Sequence, residues 1–417
     1  MRRPPGGRRH DDVCGAARPG ATDGASASSP ARYEDAVLGF RNHWYPAMFS
    51  SDVRETEIKT LRVLGEDILL KRVDGRVYGV RDECLHRGFQ LSKKPECFTK
   101  NTVTCWFHGF TYNLADGGLV GIPSDPDSKL IGKLKLRSYP IEEHKGMLFV
   151  FIGDIEPPPL SDDLPPEFLA EDMHVVPFHQ QEVASNWRIA ADSASELNHT
   201  FIHKRDALLD YWRQPLPFAE IPRGNNPYEG WILHEGPGFK GFTDAFGDAI
   251  PVFEYKFECD GEVGVVRAAY DPAVEPGSVA FGNMEATLAL PCGLRIGPWG
   301  ANPGDPESAN YWHYEWYVPV DETHHRYLIA WGSKVANAEE ALRVEHDVRT
   351  RWSYLEYEGF NASDITANEG SQRAYAEDGY EFGEKENLSR SDGYVLTWRR
   401  IAAKHNRGLQ VRYGGKK

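Results

Sequence analysis

The sequence predicts an α+β protein in which a small all-β domain is followed by a larger α+β domain. Three observations lead to this prediction. Short apolar runs separated by turn signals fill residues 40–152, further strand-like runs recur between residues 231 and 330, and helical periodicity begins near residue 338. A length of 417 residues is sufficient for two or three domains that each bury a core.

The predicted organisation has three parts. Residues 1–35 are rich in Arg, Gly, Pro, Ala and Ser and lack apolar periodicity, which predicts a disordered tail. Residues 36–155 are predicted to form the β domain and residues 156–417 the α+β domain. The boundary lies in the Pro- and acid-rich stretch 155–168, whose composition indicates a linker on the surface.

Composition and charge exclude two classes of partner. The formal net charge of −15 at pH 7 disfavours nucleic acids and anionic membrane surfaces. No apolar run approaches the roughly 18 residues of a membrane span, so no membrane contact is expected. Only two of the six cysteines stand in a patterned context, which argues against a disulfide framework and predicts a cytoplasmic location.

Turn dipeptides divide the β domain into hairpins. Asp74-Gly75 and Asp116-Gly117 each mark a tight turn between apolar runs. The run MLFVFI at residues 147–152 has the length and composition of a buried strand. Short strands at this regular spacing predict a small sandwich or barrel.

Two short motifs in the β domain carry paired metal ligands. Residues 84–88 read CLHRG and residues 105–109 read CWFHG, each beside a probable hairpin. The candidate ligands are Cys84, His86, Cys105 and His108. Two thiolates on one iron and two imidazoles on the other is the ligation of a Rieske [2Fe–2S] cluster. The competing interpretations are a structural zinc site, whose usual C-x-x-C spacing fits these motifs poorly, and unrelated buried cysteines and surface histidines.

The stretch NWRIAADSASELNHTFIHK at residues 186–204 carries a second set of polar groups suited to a metal. Spacings of four, three and four residues return to one face of an α-helix, and the groups are Asp192, Glu196, His199 and His203. The two histidines supply two ligands, so a third must come from elsewhere. Two histidines and one carboxylate with open positions is the arrangement of non-haem Fe(II) oxygenases. A solvated polar face is the competing interpretation.

The two cluster motifs and the later NWR…H-x-x-x-H stretch together resemble the α subunits of Rieske-type aromatic-ring-hydroxylating oxygenases. Three further stretches resemble the carbazole-oxidising subgroup: YEWYVPVDE (314–322), YEGFNASDI (357–365) and TWRRIAAKHNRGLQ (397–410). The resemblance extends over about residues 36–412. It implies a Rieske domain followed by a catalytic domain with an antiparallel sheet and surrounding helices.

The resemblance implies two cofactors, a Rieske [2Fe–2S] cluster and a mononuclear Fe(II), with O2 as co-substrate. It supplies Asp364 as the third iron ligand. The Ser-Asp-Ile sequence at Asp364 also permits a helix N-cap. The apolar residues beside the ligands are Phe201, Ile202 and Phe360, and they are expected either to line a substrate pocket or to belong to the core.

The resemblance also implies roles for two acidic residues. Glu196 would bridge His199 to His108 of a neighbouring subunit, although relatives usually carry Asp at that position. Asp192 stands where relatives often carry Glu. Both substitutions preserve the charge and change the reach of the side chain, so the chemistry is expected to be kept with an altered geometry.

The function implied by the resemblance is that of a terminal oxygenase that dihydroxylates a polycyclic heteroaromatic such as carbazole. A separate ferredoxin and ferredoxin reductase would supply electrons, because no G-x-G-x-x-G motif stands at a strand–helix junction. Electrons would pass from the cluster to the iron of the adjacent subunit in a homotrimer. The alternatives are a Rieske monooxygenase or demethylase and an electron-transfer protein with a decayed iron site.

Overall fold

The protein is described by a computed structural model. The described residues are 32–195, 199, 202, 232–233, 242–243, 255–260, 265–270, 285–300, 309–377, 386–388 and 393–412. Most of the predicted tail lies outside them. Its last residues do not behave as a tail, because Tyr33–Asp35 form a 3₁₀ turn and the Tyr33 side chain is buried.

Eleven strands form the first part of the fold. They are β1 (His43–Phe49), β2 (Ile58–Val63), β3 (Glu66–Val73), β4 (Arg76–Arg81), β5 (Pro95–Glu96), β6 (Thr102–Cys105), β7 (Thr111–Asn113), β8 (Leu119–Gly121), β9 (Ser138–Tyr139), β10 (Ile141–His144) and β11 (Met147–Ile152). They make three antiparallel sheets, with the orders β2-β3-β4-β9, β5-β6-β7-β8 and β1-β11-β10. The all-β first domain is therefore confirmed.

The predicted turns and the buried strand are confirmed. Asp74 and Gly75 both adopt positive φ angles, 51° and 80°, as a tight hairpin between β3 and β4 requires. Gly117 has a φ of 75° in the turn that joins β7 to β8. All six residues of β11 are buried, because this strand is the centre of its sheet and packs on both faces.

Nine strands form the second part. They are β12 (Met173–Val183), β13 (Ile232–Leu233), β14 (Phe242–Thr243), β15 (Tyr255–Asp260), β16 (Val265–Tyr270), β17 (Glu285–Ala289), β18 (Gly293–Gly300), β19 (Ala309–Pro319) and β20 (His325–Lys334). Seven of them make an antiparallel sheet in the order β12-β20-β19-β18-β17-β16-β15. The strand-like runs of the sequence correspond to strands of this sheet and of the small β13-β14 pair.

The helices of the second part are α1 (Trp187–Ser195), α2 (Ala338–Asp347), α3 (Ala362–Glu377) and α4 (Gly393–His405). A π-helical segment, Val348–Asn361, joins α2 to α3 without a break. The helical turns therefore run through Asp364, which lies in the first turn of α3. The N-cap interpretation of Asp364 is wrong, because a cap residue has non-helical backbone angles. None of the described helices is long and apolar enough to cross a membrane.

One hydrophobic core crosses the predicted domain boundary. It joins β1 and β11 to β12, α1, β19, β20 and α4. The linker prediction for residues 155–168 is wrong in part, because Leu160, Leu164 and Phe168 are buried in this core. Asp163 is buried too, and its carboxylate accepts a hydrogen bond from the Trp44 backbone at 2.8 Å. The stretch directly follows β11, which is buried on both faces, and its apolar side chains pack in the core that buries this strand.

Candidate functional site

The CLHRG and CWFHG motifs form two loops of the same construction. Gly88 N donates to the Cys84 carbonyl at 2.9 Å, and Gly109 N donates to the Cys105 carbonyl at 2.8 Å. Both glycines have positive φ angles, 72° and 75°, that a residue with a Cβ adopts only under strain. A Cβ on Gly109 would also lie 2.8 Å from Pro123. The glycine that ends each motif therefore fixes the turn that holds the ligands.

The two loops bring the candidate ligands together in pairs. Nδ1 of His86 lies 3.2 Å from Nδ1 of His108, and the ring centroids are 4.6 Å apart. Two nitrogens each about 2.1 Å from one tetrahedral ion lie roughly 3.4 Å apart, so this spacing fits two imidazoles on a single iron. Cys84 and Cys105 are buried beneath them in a separate small core. The four side chains therefore fit a Rieske cluster.

Tyr112 is a member of this site that the sequence analysis missed. Its hydroxyl oxygen lies 3.3 Å from the Cys84 sulfur and accepts a hydrogen bond from Leu85 N at 3.1 Å. As a cluster ligand Cys84 would be a thiolate, which has no proton to donate, so the Tyr112 hydroxyl would be the donor to the sulfur. Burial raises the pKa of the Cys84 thiol, and the Tyr112 hydroxyl opposes that rise.

The second candidate site begins where α1 ends. The sequence predicts one helical face through His203. Among the described residues α1 spans Trp187–Ser195, and His199 and Ile202 lie in 3₁₀ geometry. Glu196, Phe201 and His203 lie outside the described residues.

The structure brings His199 to Asp364 from distant parts of the chain. Nε2 of His199 lies 3.9 Å from Oδ1 of Asp364, and both side chains are largely buried. Two ligands with bonds of roughly 2.1 Å to one ion lie about 3 to 4.2 Å apart, so this pair fits a shared metal. Within the described residues no three His, Cys, Asp or Glu side chains are grouped to hold one ion. The remaining predicted iron ligand, His203, lies outside the described residues.

Asp192 is buried, so the interpretation of its position as a solvated helix face is wrong. Its Oδ2 accepts hydrogen bonds from Arg399 of α4, from Nη2 at 2.7 Å and from Nε at 3.1 Å. The Arg399 guanidinium also binds Glu386. Burial raises the pKa of Asp192 to about 6, against the opposing effect of Arg399. Asp192 thus joins the helix before the iron site to the C-terminal helix.

Two of the three predicted pocket residues fall within the described structure. Phe360 is buried and Ile202 is half-buried. Each is a near neighbour in sequence of a candidate iron ligand, His199 or Asp364. Their burial is compatible with a pocket wall and with core packing.

A group of buried polar residues beside Asp364 was also missed. Glu315 is 3% exposed in β19 and contacts Tyr317, Tyr327 and Asn361. The available signal was a single acid within the aromatic run YEWYV of a predicted strand, because a carboxylate in such a strand is buried only when it has partners.

Comparisons with known proteins agree with this geometry. Residues 43–140 match the Rieske [2Fe-2S] domain family, and residues 151–410 match the homotrimeric ring hydroxylase family. The chain is 40% identical over 383 residues to the terminal oxygenase component of carbazole 1,9a-dioxygenase from Metapseudomonas resinovorans, covering 91% of this chain and 94% of the relative. The corresponding protein of a Sphingomonas species is 39% identical, with coverages of 91% and 95%.

Solved structures give the same result. The reduced complex between oxygenase and ferredoxin in carbazole 1,9a-dioxygenase matches with a TM-score of 0.73 and 38% identity, covering 92% of this chain and 95% of that chain. The terminal oxygenase of the enzyme from Novosphingobium sp. KA1 matches with a TM-score of 0.70 and 38% identity, with coverages of 91% and 96%.

A paired Cys/His cluster site in an all-β domain, followed by a His/Asp pair beside an antiparallel sheet, defines a Rieske non-haem iron oxygenase. The chain belongs to the homotrimeric ring hydroxylase family and resembles terminal oxygenases that act on carbazole. It is therefore a Rieske ring-hydroxylating oxygenase, with a [2Fe–2S] cluster and a mononuclear iron as its cofactors and O2 as co-substrate.

Proposed function

We propose that this chain is a terminal oxygenase that takes electrons from a ferredoxin and dihydroxylates a polycyclic heteroaromatic such as carbazole. The observation that carries the proposal is the 3.9 Å approach of His199 to Asp364. An electron-transfer protein needs only the cluster, so the His199–Asp364 pair favours an oxygenase over an electron carrier. The substrate class rests on the similarity to carbazole 1,9a-dioxygenase terminal oxygenases.

We assign the ligands of each cofactor from the sequence motifs, and the contacts of the described residues support the assignment. Cys84, His86, Cys105 and His108 hold the cluster, and His199, His203 and Asp364 hold the mononuclear iron. When bound, the cluster supplies electrons one at a time and the iron supplies the reductive activation of O2. Ile202 and Phe360, together with Phe201, present apolar side chains to an aromatic ring.

The proposed cluster ligands differ in their exposure to solvent. Cys84 and Cys105 are buried, while the His86 ring is exposed. Leu85, Trp106 and Phe107 are large apolar side chains on the two loops and are about half exposed. Such an apolar rim is typical of a surface that another protein covers. It supports a ferredoxin donor and the neighbouring subunit of a homotrimer as partners.

The proposed bridge between the centres is Glu196, which would contact His199 and the neighbouring subunit's cluster. A carboxylate next to a metal-bound imidazole orients it, and its loss typically costs roughly 10–100-fold in affinity or activity. We assign the second acidic position, Asp192, to holding α1 through Arg399. A cytoplasmic location fits the described cysteines, since Cys84, Cys97, Cys105 and Cys292 are all free.

The test combines metal analysis with product analysis. The purified chain is expected to contain two irons from the cluster and one from the mononuclear site. With a ferredoxin, its reductase and ¹⁸O2, a panel of tricyclic aromatics is expected to yield products that carry both oxygen atoms. A single incorporated oxygen would identify a monooxygenase or demethylase. Only two irons per chain, with no product, would identify an electron carrier.

A further inference from the structure

Glu315 is a buried carboxylate of β19 whose described contacts are with polar side chains. Its Oε2 accepts hydrogen bonds from the Tyr317 hydroxyl at 2.6 Å and the Tyr327 hydroxyl at 2.5 Å. Its Oε1 accepts from the Asn361 amide at 3.2 Å, and Nε2 of His313 lies 3.2 Å away. Since the tyrosine and asparagine groups all donate, the network is arranged around a hydrogen-bond acceptor.

The network continues from Glu315 to the helix that carries Asp364. The Asn361 amide also donates to the Tyr327 hydroxyl at 2.6 Å, so Asn361 is held by two partners. Asn361 is fully buried and is the last residue of the π-helical segment. Asp364 follows three residues later in the first turn of α3, and residues three apart lie on neighbouring positions of a helix.

Asp364 is also within electrostatic reach of this network. Burial raises the pKa of Glu315, and the Asp364 carboxylate adds to the rise. The same carboxylate raises the pKa of Tyr317 and of Tyr327, after the larger effect of burial. The geometric link is Asn361, which is held by Glu315 and Tyr327 and lies three residues before Asp364. The start of α3 is therefore anchored close in the chain to the residue that meets His199.

We propose that Glu315 is a positioning residue for the metal site: with Tyr327 it holds Asn361, and Asn361 fixes the turn that directs Asp364 at the metal. The proposal rests on the proposed function, because it assigns Asp364 to the mononuclear iron. Glu315 itself touches neither metal nor substrate in this scheme. Its contribution is to limit the orientations of a ligand, as partners behind metal ligands do.

Two tyrosines provide a matched pair of variants. Both are buried, and both donate to the same oxygen of Glu315. Tyr327 also contacts Asn361, whereas the described contact of the Tyr317 hydroxyl is with Glu315. Tyr327→Phe therefore weakens the path to Asp364, while Tyr317→Phe removes a comparable buried hydroxyl that donates to the same oxygen but does not contact Asn361 among the described contacts. General loss of core stability would affect both variants alike.

The experiment measures metal binding by the full chain with its cluster intact. Mononuclear iron is removed by a chelator while the cluster absorbance is followed, and Co²⁺ is then titrated and its visible spectrum recorded. Co²⁺ is expected to bind roughly 10–100-fold more weakly to Tyr327→Phe and to Glu315→Gln, with an altered spectrum. Tyr317→Phe is expected to bind Co²⁺ as the unsubstituted protein does. Cluster content is expected to stay constant in all variants.

Two results would overturn the inference. One is an unchanged Co²⁺ affinity and spectrum in Tyr327→Phe; the other is an equal loss in both tyrosine variants, which would indicate a general packing effect. If Glu315→Gln fails to fold, the comparison of Co²⁺ binding by Tyr327→Phe and Tyr317→Phe still tests the proposal. Failure of the unsubstituted protein to bind any Co²⁺ would instead contradict the proposed function, so the two failures are distinguishable.

Discussion

At the scale of single residues, Asp364 and His199 carry the assignment of the mononuclear site. Their atoms are 3.9 Å apart although they come from different elements, a 3₁₀ turn after α1 and the first turn of α3. Asp364 is the only negatively charged side chain among the three proposed iron ligands. Its loss matters because two neutral imidazoles alone bind Fe(II) poorly.

Asp364→Asn is expected to abolish oxygenation and to lower the iron content from three to two per chain, because the amide keeps the size and loses the charge. The cluster absorbance is expected to be unchanged. Glu339→Gln on exposed α2 is a control that changes the same type of group far from the ligands. Normal turnover by Asp364→Asn would show that Asp364 is not an iron ligand. It would leave Glu196 as the candidate carboxylate, because Asp192 is held by Arg399.

The Tyr112 hydroxyl is expected to raise the potential of the cluster, since a hydrogen bond to sulfur stabilises the reduced, more negative form. A net hydrogen bond of about 1 kcal/mol corresponds to roughly 40 mV for one electron. Tyr112→Phe should lower the potential by that order, measured by redox titration of the cluster signal. Tyr78→Phe, which alters the same core, should leave the potential unchanged.

Asp192 makes a prediction about pH. Burial raises its folded pKa to about 6, above its usual value near 3.8. The folded state therefore holds a proton that the unfolded state has lost, and stability falls as pH rises from about 4 to 6. Asp192→Asn is expected to reduce this fall, measured as the free energy of unfolding between pH 4 and pH 6. An identical pH profile in the variant would show that Asp192 is ionised throughout that range.

At the scale of elements, the two ligand loops depend on their final glycines. Gly109→Ala meets both a positive φ and the Pro123 ring at 2.8 Å, and is expected to cost about 1–3 kcal/mol of stability and to reduce cluster content. Gly88→Ala meets only the unfavourable φ, so its effect should be smaller.

The control for this series is Gly121→Ala in strand β8, where a Cβ meets no atom within 4 Å. It is expected to leave the cluster absorbance and the thermal midpoint unchanged. An equal loss of cluster in Gly88→Ala, Gly109→Ala and Gly121→Ala would show that the two loop glycines are no more important for cluster binding than Gly121 in strand β8.

At the scale of the whole molecule, the core that crosses residue 155 makes the two predicted domains interdependent. Residues of β1 and β11 share this core with α1, α4 and the large sheet. The division at residue 155 stays a prediction, and its test is cooperativity. Thermal unfolding followed by cluster absorbance and by tryptophan fluorescence is expected to give coincident transitions. Two separated transitions would show that residues 36–155 fold independently.

Much of the architecture could be predicted because it depends on local signals. Alternating and apolar runs fix strands, and Asp-Gly dipeptides fix hairpins, so β3, β4, β7 and β8 were located from the sequence. The linker prediction was wrong in part because Pro and acidic residues indicate a loop without indicating which surface the loop covers. Leu160 and Phe168 are apolar residues of that stretch, and only the surrounding strands explain their burial.

The sequence by itself determined the candidate ligands of the cluster, because both halves of this site are local motifs in which the spacing of ligand and glycine specifies the turn. It also determined the histidines of the iron site as candidates. Only the tertiary structure decided that Asp364 faces His199, that Asp192 is buried against Arg399, and that Glu315 anchors Asn361. These contacts join residues far apart in the chain, and no local preference encodes which distant partner a buried charge will meet.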